Sequence, residues 1–200
     1  MEGNLNSTQN NISKKVLFCI NEIVKNQHTH KLNWKDDSIY NPLKIMSSID
    51  DKGDVGEMLL NEVLKNRFKV TWEKAKTSRE KDWDITVDGI KIEVKTATMG
   101  NTSMTFQHEK FFKNRNYDAV VFLDFTPNNL YITFAKKSDI LWDRLHKRKV
   151  NDVYTTEYKF DFSLKNIKEN KIDKLAKHKT KLIKTESDLI KFFEEIIRKN

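Results

Sequence analysis

The stretch DWDITVDGIKIEVKTA, Asp82 to Ala97, places two acids and a lysine where they can meet. Asp88-Gly89 lies between two alternating apolar runs, and Asp-Gly there predicts a two-residue type I′ hairpin, because both turn residues need positive φ. With those residues as the loop, Val87 pairs with Ile90, Thr86 with Lys91, Ile85 with Ile92, and Asp84 with Glu93. Alternation then sends Ile85, Val87, Ile90, Ile92 and Val94 to one face and Asp84, Glu93 and Lys95 to the other. Two carboxylates about 5 Å apart repel by roughly 3 kcal/mol at an effective dielectric near 20, while a favourable cross-strand pair contributes only about 0.2 to 1 kcal/mol. The pairing is a net loss unless a cation joins it. Hard oxygen ligands suit Mg²⁺, with Mn²⁺ as a substitute, held by one or two carboxylates plus water and substrate phosphate.

A plain surface pattern is the competing reading. Acid-x-Lys triplets begin at Asp50, Glu93, Glu157 and Glu169, and a third of the chain is charged. Such side chains on a solvated sheet face form ion pairs of little worth. Register separates Glu93 from the others, because only its hairpin delivers an opposing acid and a lysine to one face.

Asp84 followed by Glu93-Val94-Lys95 on the next strand, with a helix before and another after, resembles the core of the PD-(D/E)XK nucleases, the fold of many type II restriction endonucleases and junction resolvases. The resemblance spans about residues 54 to 134. It implies an α/β (α+β) fold, a restriction-endonuclease-like mixed central β-sheet flanked by helices. It also implies that Asp84 and Glu93 hold one or two Mg²⁺ ions, that the Val94 carbonyl adds a ligand, and that Lys95 positions or activates the attacking water. Trp83 stands where the motif carries proline.

Two neighbouring segments fit the same pattern. DVGEMLLNEVLKNRF, Asp54 to Phe68, reads as a helix capped by Asp54 with Val55, Met58, Leu59 and Val63 on one stripe. Glu57 then falls in the first turn, either near the metal, as in many family members, or simply complementing the helix dipole. In FQHEKF, Phe106 to Phe111, Gln107 and Phe111 have the spacing of the Gln-x-x-x-Tyr element of exonuclease-like branches, with Phe for Tyr. A helix surface is the alternative role for Gln107.

Composition bounds the rest. Two hundred residues, 38% apolar with twelve Phe and four Trp, suffice for one nuclease domain with a core. A single cysteine, Cys19, excludes a disulfide framework and suits a reducing cytoplasm. Residues 1–12 are polar and read as a flexible tail, and Val16 to Ile20 is too short for a signal or membrane helix. No membrane partner is expected.

The net charge of +8 sits in one place: residues 136–184 hold 15 Lys and Arg against 7 Asp and Glu, and the remainder holds 22 of each. A basic extension, 136–200, beside a neutral catalytic core, 54–134, suits a polyanion, because Lys and Arg release counterions from phosphates. Solvated lysine-rich surface is the alternative. SDILWDRLHKRK from Ser138 reads as a capped helix ending in bases, making Arg144, Lys147, Arg148 and Lys149 candidate DNA contacts. Lys165, Lys168, Lys171, Lys174 and Lys177 recur every three residues and on a helix spread around the axis rather than forming a stripe.

The remaining expectations are an opening helix, Ser13 to Gln27, and strands at Lys69 to Glu73, Trp83 to Val87, Ile90 to Thr98, Tyr117 to Phe125 and Leu130 to Phe134. A further strand covers YTTEYKFDF, and a final helix carries Leu189, Ile190, Phe193, Ile196 and Ile197 onto the sheet or into a dimer seam. His28 and His30 lack further ligands nearby in the sequence. Together these readings predict a Mg-dependent DNA endonuclease, with a homodimeric type II restriction enzyme acting on double-stranded DNA favoured. A structure-selective junction or repair nuclease and a non-catalytic DNA-binding module stay open.

Overall fold

A computed structural model describes residues 12–24, 38–72, 82–100, 104–151 and 153–197. His28, His30 and nearly all of the expected tail lie outside the described residues. The predicted hairpin forms between β2 (Ile85–Val87) and β3 (Ile90–Thr98), with Ile85 opposite Ile92, Thr86 opposite Lys91 and Val87 opposite Ile90. Asp88 and Gly89 take φ of 47° and 88°, the left-handed pair that the turn demands. β1 (Val70–Trp72) extends this hairpin antiparallel on its outer side. On the inner side, β3 pairs in parallel with β5 (Ala119–Phe125), which pairs antiparallel with β6 (Leu130–Lys136), and that in turn with β9 (Lys179–Ile183). The result is a mixed six-stranded sheet in the order β1-β2-β3-β5-β6-β9. Every residue of β5 is buried, as its unbroken apolar run requires for a strand covered on both faces.

Helices cover one face. α1 (Ile12–Val24) buries Val16, Cys19, Ile20 and Ile23, and α5 (Glu186–Ile197) buries Leu189, Phe192, Phe193 and Ile196, so the final helix packs into the main core. α3 (Ile49–Leu64) begins five residues before the predicted Asp54 cap. Ser48 Oγ accepts the Asp51 N–H at 3.2 Å, and Asp50 and Asp51 supply the first-turn acids. Within α3, Gly56 is the point of closest approach: a Cβ there would lie 1.9 Å from Thr96 Oγ1 on β3. A glycine lets the helix backbone sit directly on the strand. A short α2 (Asn41–Ile45) buries Leu43 beneath it.

Sheet covers the other face, and two expectations are corrected here. The segment predicted as a helix around Gln107 is β4 (Thr105–Phe112), the edge of a three-stranded sheet in the order β4-β8-β7. Phe106 and His108 point inward while Gln107 is exposed, a period of two that a helix cannot produce. The crossover between parallel β3 and β5 therefore passes through this second sheet, with no helix among its described residues. The segment from Ser138 is likewise no α-helix. It forms two 3₁₀ turns, Lys137–Asp139 and Trp142–Arg144, then β7 (His146–Val150), anchored by buried Ile140 and Leu145. Five residues separate those two anchors, a spacing that puts them on different sides of an α-helix. β8 (Val153–Ser163) carries the predicted aromatic alternation. Its Phe160 and Phe162 pack with Phe111 and Phe122, with Phe122 and Phe160 centroids 4.9 Å apart, and each such buried ring contributes roughly 1.5–3 kcal/mol. α4 (Leu164–Lys168) is only five residues long, so the five-lysine series lies mostly in turns rather than around a helix.

Candidate metal centre

β3 is the rigid element of the site. Glu93 and Lys95 face the same side, opposite Val120 and Phe122 of β5, while Ile92 and Val94 enter the helix-side core. β2 ends at Ile85, but the pairing continues one residue further: the Asp84 N–H donates to the Ile92 carbonyl at 3.0 Å. Beyond it the Asp84 side chain replaces the missing strand, its Oδ2 accepting the Val94 N–H at 2.6 Å. This clamp fixes the Asp84 carboxyl against the Glu93-Val94-Lys95 backbone.

Glu93 is only 1% exposed. Its Oε1 forms ion pairs with Lys95 Nζ at 2.5 Å and with Arg115 Nη1 at 3.7 Å. Oε2 is buried with no hydrogen-bond partner among the described residues. Aromatic rings hold the two cations: Lys95 Nζ is 5.6 Å from the Phe111 ring and the Arg115 guanidinium 4.3 Å from that of Phe112. Lys95 and Arg115 side chains stay 14% and 18% exposed, so the cluster opens to solvent past its cations while Glu93 lies beneath.

Glu57 joins from α3. It lies in the third turn of that helix, so the first-turn dipole explanation for its presence does not apply. Trp72 Nε1 on β1 donates to Glu57 Oε2 at 2.9 Å, tying the helix to the outer strand beside Asp84. Three carboxyls thus share the site with two cations. Burial, then repulsion from Asp84, pushes the Glu57 carboxyl up to about 8. Burial, then Glu93, pushes Asp84 up to about 6. Burial alone would lower Lys95, but Glu93 and Asp84 outweigh it and hold the ammonium above its usual value. An unpartnered buried oxygen and two acids resisting ionisation suit the binding of a cation. Among the described residues no three His, Cys, Asp or Glu side chains are already gathered as a metal cage. Asp84, Glu93 and the Val94 carbonyl make the smaller set that Mg²⁺ or Mn²⁺ completes with water and phosphate.

Other expected residues lie elsewhere. Gln107 pairs with Asp161 on the outer side of the second sheet, away from Glu93. Arg144 Nη1 donates to the Asp173 carbonyl at 2.7 Å, and Arg148 Nη1 to Glu157 Oε2 at 3.0 Å. Lys147 and Lys149 lie on β7. Two residues absent from the sequence reading belong to the site. Arg115 precedes β5 and reaches Glu93 because β5 runs parallel to β3, a pairing with no local signature. Tyr117 has a buried hydroxyl without a hydrogen-bond partner among the described residues, its pKa raised by burial and by Glu93.

Compared with known proteins, the chain matches no protein-family model and no curated protein. Among the described residues no helix is long and apolar enough to cross a membrane.

Proposed function

We propose that the protein is a metal-dependent DNA endonuclease of PD-(D/E)XK type, with Asp84, Glu93 and the Val94 carbonyl as the ligand set for Mg²⁺ or Mn²⁺. The observation that carries this reading is the surplus of carboxyls around an unpartnered Glu93 oxygen on β3, beneath the partly exposed Lys95 and Arg115. An ion bound there supplies Lewis acidity and a more acidic water. Lys95, held as an ammonium by its two acidic neighbours, is no base at neutral pH; it stabilises charge developing on the phosphoryl oxygens and orients the nucleophile. Glu57, raised to about 8 by burial and Asp84, would take up the proton of the attacking water, directly or through a second water, once a bound cation brings it into its ionised form. Arg115 draws Glu93 Oε1 to one side and leaves Oε2 for the ligand set.

The basic excess of residues 136–184 supports a polyanionic substrate, and double-stranded DNA is the one proposed. A homodimeric type II restriction enzyme is the narrower form, since cutting both strands needs two such sites. Supercoiled plasmid with Mg²⁺ tests the reading. Discrete fragments that vanish with chelator and in Glu93→Ala and Asp84→Asn are expected for restriction; cleavage confined to branched DNA indicates a junction nuclease. Equal cleavage by both variants and the wild type contradicts the site.

A further inference from the structure

β8 pairs with β4 only from Glu157 to Ser163. Its first four residues, Val153 to Thr156, pair with β7 alone and carry the hairpin about 13 Å beyond the end of β4, at roughly 3.3 Å per residue. The second sheet therefore continues as a free two-stranded ribbon, turned at Asn151, whose φ of 48° suits a tight hairpin. Its base is the rim of the metal centre: Phe111, under Lys95, is opposite Tyr158, and Tyr158 is opposite Lys147.

The side chains along this ribbon are unlike those of an ordinary surface hairpin. Lys147 Nζ lies 5.8 Å from the Tyr158 ring and Lys149 Nζ 4.7 Å from that of Tyr154, and neither lysine has a carboxylate partner among the described residues. Arg148 is paired with Glu157, which stiffens the ribbon across a register shift in its middle. Lysines on an edge strand also deter unwanted sheet pairing. That role does not account for the tip, where Val153 and Tyr154 are 68% and 64% exposed. A strand guarding its edge gains nothing by holding out an aromatic ring and a valine.

We propose that the β7–β8 ribbon is a duplex-DNA docking arm that enters the major groove beside the cut site. Lys147 and Lys149 bind flanking phosphates, and Tyr154 and Val153 make apolar contact with base edges. The major groove, about 12 Å wide, admits a two-stranded β-ribbon, and thymine methyl groups there offer apolar contact. Charge complementarity selects the occupant, because two lysines without a carboxylate partner among the described residues lie along one strand of the ribbon that carries the exposed apolar tip. The inference rests on the DNA reading above, and names which element holds the substrate.

The test is binding of the full-length protein to a fluorescent duplex across a salt series, with Ca²⁺ in place of Mg²⁺, alongside plasmid cleavage in Mg²⁺. The variant Lys147→Ala/Lys149→Ala/Tyr154→Ala is expected to lose at least about tenfold in duplex affinity, its salt slope shallower by about two. Lys147→Arg/Lys149→Arg retains binding, and Lys165→Ala/Lys168→Ala, which removes the same charge elsewhere, costs under about threefold. Unaltered affinity in the ribbon variant, an equal loss in the distant lysine variant, or stronger binding of single strands than of duplex overturns the arm. Should the wild type bind duplex through the ribbon yet cut nothing, the arm stands and the nuclease reading falls. Should ribbon variants bind and cut like the wild type, the nuclease stands without it.

Discussion

Glu93 and Asp124 occupy adjacent parallel strands, point to the same face of one sheet and are both buried, yet they are different kinds of residue. Asp124, opposite Ala97 on β3, meets a single partner: His108 Nε2 lies 3.0 Å from its Oδ1, and both side chains are fully enclosed. Phe122 and Phe162 close over the imidazole at 4.8 and 5.3 Å. Burial raises the Asp124 pKa and His108 partly offsets the shift. One acid faces one imidazole; Asp124 Oδ2 and His108 Nδ1 are also buried without hydrogen-bond partners among the described residues, but both side chains are fully enclosed, with no side open to a ligand. At Glu93, three carboxyls face two cations and the cations reach solvent. Burial of an acid alone marks a packing solution, whereas surplus charge with an open side marks a place for something to bind.

The largest separation between the two regions is in activity. Glu93→Ala is expected to lower plasmid cleavage by about 10³-fold or more, while His108→Ala leaves cleavage per folded molecule within about twofold. Urea unfolding ranks them next: His108→Ala strands a buried Asp124 and should cost about 3 to 5 kcal/mol. Replacing both members of that pair by leucine should recover most of the loss, and failure to do so would give the pair a role beyond packing. Gly56→Ala drives a methyl into Thr96 and should cost about 1 to 3 kcal/mol while displacing Glu57; an unchanged Tm would mean that α3 does not rest on β3 as described.

A separate contrast lies in pH dependence. Asp84 and Glu57 have folded values above their unfolded ones, so their favourable contribution is complete below about pH 4 and is lost as pH rises through about 6 and 8. Metal-free protein should weaken steadily over that window, by up to about 1.4 kcal/mol per pH unit for each of the two groups. Asp84→Asn keeps an acceptor for the Val94 N–H and should flatten the loss. A stability that rises with pH there would contradict the charge surplus.

The acids were legible because their signal is local. Asp88-Gly89 sets the turn, and the turn sets the register that brings Asp84 to Glu93. The helix expected around Gln107 is instead β4, because the four-residue spacing of Gln107 and Phe111 that suggested a helix is produced by an irregular strand. The alternation of Phe106 and His108 is broken by a bulge at Lys110, whose φ is 57°, so that Phe111 rather than Lys110 turns inward. A bulge leaves no mark in composition. The Asp54 cap was misplaced because Ser48 and the acids after it precede the apolar stripe by more than a turn. Arg115 was missed for a different reason: its approach to Glu93 depends on parallel pairing across a long crossover. The repulsion expected of the paired acids is also unevenly shared: in the fold Glu93 compensates Lys95 and Arg115, and Asp84 is the member that resists ionisation.

Isothermal titration of metal-free protein with Mn²⁺ near pH 7.5 tests the charge surplus most directly. Saturable binding with proton release, lost in Glu93→Gln and Asp84→Asn but intact in His108→Ala, is the expected result. No binding by the wild type, or equal binding by Glu93→Gln and Asp84→Asn, would contradict it.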